Sequence, residues 1–466
     1  MTNQTNTPST TARPIGLDAL EREQDDSRHH LFDQNDATVY TGSVAHFARQ
    51  RGTDLLSRTE PFNDWRLARL GADLWSYAKA LHGSPGPNAS MECESGRDYT
   101  GINFASQDYL GLTAHTDIRS AAIEAITKYG PHSSGSPVLA GKTLLSKSLE
   151  LELADALKMS HVAIYPTGWA AGFGAVTGLV RPYDHVVMDK LAHACLRSGA
   201  YAATRNVVTF EHLDLDAFEQ SVAKIRDSDS QNGILAITEG LFSMDADTPD
   251  IRAMQEICRR HGATLLVDVA HDFGSLGPDG TGSLGLQRML GEVDLVVGSF
   301  SKTFATNGGF VGCNSAAVHQ YLHYYGSPLI FSNALSPVQA ATASAALRIV
   351  RSPEGERLRW RLAANATRLR DGLKDAGLHC FGNPSAIVPV LVGSERVSRI
   401  ATTLLAQRGV LVNLVEYPAV AVGSTRFRLQ VMATHSEADI DCAAKVIGET
   451  VAEVEERAES RRGSSD

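Results

Sequence analysis

Cysteine is scarce and scattered: six residues in 466 (Cys93, Cys195, Cys258, Cys313, Cys380, Cys442), none in a Cys-x-x-Cys pair. That spacing suggests neither a zinc site nor a disulfide framework. No apolar run reaches the ~18 residues that a membrane-spanning helix needs, and no basic-then-apolar stretch opens the chain. Concentrated positive charge is missing as well. The 43 Lys and Arg are outnumbered by 53 Asp and Glu, for a net charge of −10, and the basic stretches at Arg259–Arg260 and Arg351–Arg361 are interleaved with acids. A nucleic acid or an anionic lipid surface wants the reverse, so neither is an expected partner. Asn88-Ala89-Ser90 spells a glycosylation acceptor, but with no secretory route the spelling carries no weight. A reducing, cytoplasmic location is the expectation.

The composition present is that of an ordinary globular protein, 43% hydrophobic and 21% charged with 40 glycines. At this length the chain can bury a large core and divide into more than one domain. Residues 1–36 are rich in Thr, Asn, Gln, Asp and Ser and read as a disordered tail. Residues 37–114 form an N-terminal arm, helical by its apolar spacing between Ser43 and Leu81 (Phe47, Leu55, Leu56, Trp65, Leu67, Leu70, Leu74, Trp75, Tyr77). Gly83 to Arg97 reads as a loop. The arm is expected to wrap a partner subunit or cover the active site.

From 115 to 350, short β-branched runs alternate with longer helical stretches: Val162–Tyr165, His185–Met188, Asn206–Phe210, Gly233–Thr238, Thr264–Val267 and Leu295–Val297. This alternation predicts βαβ crossovers and a mostly parallel sheet covered on both faces. Residues 351–458 read as a smaller α+β domain. It has a charged helix from Glu354 to Ala376, strands at Ile387–Val392, Val410–Leu414 and Phe427–Val431, a helix around Val397–Gln407, and a last helix from Glu437. Residues 459–466 read as a second tail.

Three segments carry chemistry. In Asp294-Leu-Val-Val-Gly-Ser-Phe-Ser-Lys302, a strand runs into a Ser-rich turn that holds one lysine. A lysine walled by apolar residues loses basicity by desolvation and can condense with an aldehyde. Ser299 and Ser301 are placed to hold phosphate oxygens. Taken alone, a surface lysine after a strand explains this turn better. In Leu265-Leu-Val-Asp268-Val-Ala-His271, a buried-looking strand ends in an acid and a histidine, 34 positions before Lys302. A carboxylate at a strand's C-terminal edge suits the ligand position of an open α/β sheet. There it can keep a pyridinium nitrogen protonated, although a helix cap or a structural ion pair explains it equally well. In Tyr165-Pro-Thr167-Gly168-Trp169, a strand opens into a small-residue helix whose N-terminal N–H groups suit a phosphate. Helix packing accounts for the later Gly172, Gly174 and Gly178.

These segments resemble the α-oxoamine synthase family of pyridoxal-phosphate-dependent acyltransferases. The resemblance runs from about Ile102 to Val451 and rests on five ordered blocks. These are Asn103–Leu112, Thr238-Glu-Gly-Leu-Phe-Ser-Met-Asp245, Asp268–Gly277, Ser299-Phe-Ser-Lys302, and Gly423–Arg428 leading to Ala433-Thr-His435. It implies a fold-type I architecture, with a mostly parallel sheet in the large domain and a smaller α+β C-terminal domain. It also implies a homodimer with active sites at the interface, pyridoxal 5′-phosphate as cofactor, and no metal. Lys302 matches the Schiff-base lysine and Cα proton-transfer base, and Asp268 the acid on the pyridine nitrogen. His271 and Ser243 match groups near the phenolic oxygen, and His193 the histidine stacked on the ring. Thr167, Gly168, Trp169 and Ser299 match the phosphate site, with Ser332 and Asn333 reaching it from the other subunit. Arg428 matches the arginine for the substrate carboxylate; Arg426 is expected on the surface.

The implied reaction is a decarboxylating condensation of a small amino acid (alanine, serine or glycine) with an acyl thioester, carried on coenzyme A or a carrier protein. Departures fall at Gln107, where the family usually has Asn beside the carboxylate, and at Ser146, Val269 and Ala305. Ser136 stands where glycine-restricted members carry a bulkier Thr, which favours alanine or serine. Another activity on the same fold, an aminotransferase or aldolase, is the second reading. A non-catalytic subunit of a heteromeric synthase is the third.

Overall fold

The computed structural model describes residues 37–462. The expected tail over 1–36 and the last four residues, 463–466, lie outside them. The final helix, Glu437–Arg462, runs into the stretch expected as a second tail. Ile440, Ile447, Val451 and Val454 stay buried along its inner side, and the apolar stripe ends with half-buried Ala458.

The arm is only partly helical. Helix Glu60–Gly71 starts with an acid and a proline in its first turn, where the missing N–H costs nothing. Residues 83–97 are not a plain loop. They contain β2 (Asn88–Glu92), which pairs antiparallel with β1 (Ala80–Leu81) and with β3 (Asp98–Asn103). Ala89 and Met91 are buried while Asn88 and Glu92 are exposed. This is a period-two pattern hidden behind the preceding Gly-Ser-Pro-Gly-Pro run.

The large domain carries a seven-stranded sheet. It comprises β4 (His161–Tyr165), β5 (His185–Asp189), β6 (Val207–Phe210), β7 (Ile234–Glu239), β8 (Thr264–Asp268), β9 (Leu295–Ser299) and β10 (Gly309–Cys313), in the order β4-β10-β9-β8-β7-β5-β6. Neighbours from β9 to β6 are parallel, and β10 alone is reversed, between β4 and β9. All six residues of β7 are buried, as a central strand with both faces covered requires. β10 reads as loop in the sequence because it is two glycines around Phe310 and Val311.

In the small domain, β11 (Ile387–Gly393), β13 (Asn413–Val415) and β14 (Thr425–Gln430) form one sheet. The strand expected over Val410–Leu414 divides. Its first part, β12 (Val410–Leu411), leaves to pair in parallel with β3 of the arm, and β13 pairs with β14. Among the described residues, no helix is long and apolar enough to cross a membrane.

The arm is fastened to the small domain of its own chain by buried charge. Glu416 Oε1 accepts from Arg69 at 3.1 Å and from the Tyr77 hydroxyl at 2.7 Å. Glu416 Oε2 accepts from Arg399 at 2.7 Å. Arg399 donates onward to the carbonyls of Val39 and Gly42, and Arg69 lies against the rings of Trp65 and Trp75. Both guanidiniums are at most 1% exposed. Glu416→Ala would strand two buried cations. We expect a loss of about 3–5 kcal/mol in denaturant unfolding; a loss below about 1 kcal/mol would mean that water or rearrangement neutralises them.

Candidate active site

The residues singled out for chemistry converge on the C-terminal edge of the large sheet, where open α/β sheets bind ligands. β8 ends at Asp268, and parallel register sets Glu239, the last residue of β7, beside it. β9 ends at Ser299, and the chain turns through buried Phe300 to Lys302. A cavity of about 270 Å³ lies between them. Its wall includes Thr167, Gly168, Trp169, His193, Asp268, His271, Ser299 and Lys302.

The other candidates stand elsewhere. Arg428 is not on that wall, but its positive charge acts on Lys302, His271 and His193. Ser243 is buried on the turn after β7. Gln107 is half-buried on the turn after β3. Ser136 donates to the Ile330 carbonyl at 2.7 Å, Asn333 meets His132 at 3.1 Å, and Ser332 bonds to the Pro328 carbonyl. None of these last four lines the Lys302 cavity of its own chain. Arg426, expected on the surface, is buried instead. It pairs with Asp245 and stacks 4.2 Å over the Phe381 ring, because β14 turns it inward against the large domain.

Burial dominates the electrostatics. Desolvation pushes the Lys302 amine below the usual lysine range; Asp268 opposes the shift and Arg428 reinforces it. Desolvation also drives His271 far down, aided by the nearby positive charges of Lys302 and Arg428, so its imidazole is neutral. His193 is lowered for the same first reason. Glu239 is raised well above the carboxylate range by burial and by Asp268. Asp268 Oδ1 accepts from the Ala270 N–H at 2.9 Å. Arg428 is half-buried and lowered by desolvation, and among the described residues no carboxylate lies within ion-pair distance of it. With the Gln430 amide turned to face it, that oxygen accepts from Arg428 Nε at 2.8 Å and Nη2 at 3.0 Å.

At the other end of the cavity three backbones meet. Helix Gly168–Leu179 begins there, with Thr167 capping the Ala170 N–H at 3.0 Å. A Cβ on Gly168 would lie 2.5 Å from the Ser299 side chain, and one on Gly309 would lie 2.6 Å from Gly168 Cα. The Ser299 and Ser301 hydroxyls are 2.7 Å apart. Small residues, a helix N-terminus and paired hydroxyls make a cradle for a phosphate.

Cys195, whose Sγ is 3.0 Å from His193 Nδ1, and Glu239 were not singled out from the sequence. Glu239 was findable by the argument that found Asp268, since both are acids closing a buried strand. Cys195 has no comparable signal.

A family model for aminotransferase class I and II matches residues 99–447. The chain belongs to that family. Relatives include 8-amino-7-oxononanoate synthase of Geobacter sulfurreducens, 35% identical over 78% of this chain and 92% of that protein. The enzyme of the same name from Klebsiella pneumoniae is 37% identical over 73% of this chain and 86% of that one. A solved serine palmitoyltransferase from S. paucimobilis superposes with a TM-score of 0.80 at 27% identity, over 86% of this chain and 99% of that one. Fold-type I architecture, the α-oxoamine synthase grouping and pyridoxal phosphate as cofactor follow. The residues present fit that group: an amine for its aldehyde, an acid for its ring nitrogen and a cradle for its phosphate. Gly168→Ala should keep the fold yet weaken cofactor binding by about tenfold or more, since a clash of this size costs upward of ~1.4 kcal/mol. Titration of apo-protein with pyridoxal phosphate checks this, and an unchanged Kd would mean the phosphate sits elsewhere.

Proposed function

We propose that this chain joins alanine, serine or glycine to an acyl thioester, releasing CO2 and the free thiol and leaving an α-aminoketone. The observation that carries the reading is a desolvated Lys302 set between Asp268 and the unmatched charge of Arg428. When bound, pyridoxal phosphate supplies a ring that stabilises negative charge at the amino acid's Cα.

The chain's own residues do the rest. Lys302 anchors the cofactor covalently and, as a free amine of lowered basicity, takes the proton from Cα. Asp268 holds a proton at the ring nitrogen. His193 would cover one face of the ring, and neutral His271 with Ser243 would meet the phenolic oxygen. Thr167, Gly168, Trp169 and Ser299 hold the phosphate. Arg428 clamps the substrate carboxylate, a task its planar fork suits, with Gln107 and Ser136 shaping the corner around the amino acid. The Cα–acyl bond forms as the thioester C–S bond breaks, the thiolate departs and takes a proton from solvent, and the Cα–carboxylate bond breaks to release CO2, its electron pair taking back at Cα the proton held by Lys302.

A second copy of the chain completes the site in this reading. Phe331 and Leu139 are each 83% exposed. They flank the hydrogen-bonded segments around Ser136 and Ser332–Asn333, which do not reach the cavity of their own chain. That supports a homodimer in which Ser332 and Asn333 of one copy reach the phosphate in the other. The six unpaired cysteines support a reducing, cytoplasmic location. For the acyl chain, we propose a groove of about 410 Å³ between the arm and β13, lined by Phe62, Trp75, Tyr77, Leu414, Val415 and Met244. It borders the elements that carry Ser243 and Arg428, because Met244 follows Ser243 and Asn413 pairs with Arg428.

The deciding experiment follows visible absorbance and thiol release while glycine, alanine and serine are each offered with acyl-CoAs or acyl carrier proteins of graded length. Amino-acid binding should shift the absorbance, and thiol should appear only when both substrates are present. A shift indifferent to any thioester would favour an aminotransferase or aldolase. Lys302→Ala should abolish turnover. Val415→Trp should move the preferred acyl chain to shorter lengths with amino-acid affinity unchanged, and an unmoved length profile would remove the groove from the site.

A further inference from the structure

His212 lies on the turn after β6, outside the cavity, with its side chain 14% exposed. Its Nδ1 is 3.0 Å from both carboxylate oxygens of Asp189, and its Nε2 is 3.1 and 3.0 Å from those of Asp247. The ring stands edge-on to Phe242, with centroids 4.6 Å apart. Both nitrogens face acceptors, so both must donate, and the ring that satisfies this geometry is the imidazolium.

Each carboxylate organises a turn that leads to the site. Asp189 ends β5. Its Oδ1 accepts from the Leu191 N–H at 2.8 Å and its carbonyl from the Ala192 N–H at 3.0 Å, and His193 follows directly. Asp247 closes the turn after β7. Its carbonyl accepts from the Phe242 N–H at 2.9 Å, while the Phe242 carbonyl accepts from the Ala246 N–H at 2.8 Å, and Ser243 lies inside that loop of chain. β5 and β7 are neighbours in the sheet. One ring therefore spans the two turns that present His193 and Ser243.

The far side of the Ser243 turn is held from the small domain. Arg426 donates to the Met244 carbonyl at 3.0 Å and pairs with Asp245, and the Asn383 N–H donates to the Ala246 carbonyl at 2.9 Å. By distance His212, Asp245 and Asp247 could hold a metal ion. Their atoms are already committed, Asp245 to Arg426 and both ring nitrogens to carboxylates.

We infer that His212 is a positioning residue: it touches neither cofactor nor substrate, and it fixes the turns of His193 and Ser243 relative to each other. The inference rests on the roles proposed above for those two residues. The other charged groups near the ring are paired or capping. Glu211 holds Lys190, and Asp214 caps the Ala217 N–H. Burial alone would strip the second proton from His212, but the bonds from Asp189 and Asp247 outweigh it and raise the group to about 10.

The test compares the parent with six variants. His212→Gln removes the charge and one donor, and the Kd for pyridoxal phosphate should rise about tenfold, the size of one lost charge-assisted hydrogen bond. In a chain already carrying His193→Ala and Ser243→Ala, the same change should leave the Kd within about twofold, because the groups it positions are gone. An additive loss in that background would overturn the positioning role and leave a purely structural one. If His193→Ala and Ser243→Ala separately leave the Kd unaltered, their proposed roles fall and the inference with them. A folded-state pKa above the usual 6.5 makes the stabilisation full below pH 6.5 and lost by about 10. The Tm gap between the parent and His212→Gln should close over that range; a pH-independent gap would mean a neutral ring and overturn the charged link between the two turns. Should His212→Gln not fold, Asp247→Asn keeps the shape and weakens the same bond for the same measurements.

Discussion

The withdrawal of Lys302 from water is the constraint on which the rest of the site depends. An amine in that position is affordable only beside negative charge, and Asp268 supplies it from the end of the adjacent strand. Two acids side by side, Asp268 and Glu239, would repel; burial resolves this by raising Glu239 into its neutral form. His271 and His193 are kept neutral by the same dryness. What remains is a compact balance with one excess positive charge at Arg428.

Buried charge does a second, different job at the junction of arm and small domain. There the cations are fully matched: Glu416 sits between Arg69 and Arg399, with the Tyr77 hydroxyl on the same carboxylate. Nothing in that cluster is left for a ligand. The contrast between a closed ionic network and an open one separates scaffold from site.

Much of the site was legible because its residues close strands. Lys302, Asp268 and Gly168 each follow a β-branched run, and the C-terminal edge of a parallel sheet is where such residues meet. What escaped reading had weaker local signals. β10 is five residues long with glycine at two of its inner and outer positions, and its pairing partners are remote in sequence. β2 is masked by the turn residues before it. Arg426 and Arg428 stand two residues apart on one strand and so share a face, and sequence alone does not say how much of that face the large domain covers. His212 carries no motif; its meaning lies in two aspartates from other segments. Such residues become visible only once the topology brings their partners together.

The reversed strand β10 has a consequence for how this chain is made. β4 finds its sheet neighbour only when β10 arrives, ~150 residues later, and β10 also supplies its link to β9. A nascent chain therefore leaves the ribosome with β4 and its following helix synthesised but unjoined to the strands that come next. At ~5–20 residues per second, that interval lasts on the order of ten seconds or more. Over that time an apolar strand edge stays open to other chains. The late insertion of β10 is what closes that edge, and the sheet is complete only once Cys313 has been made.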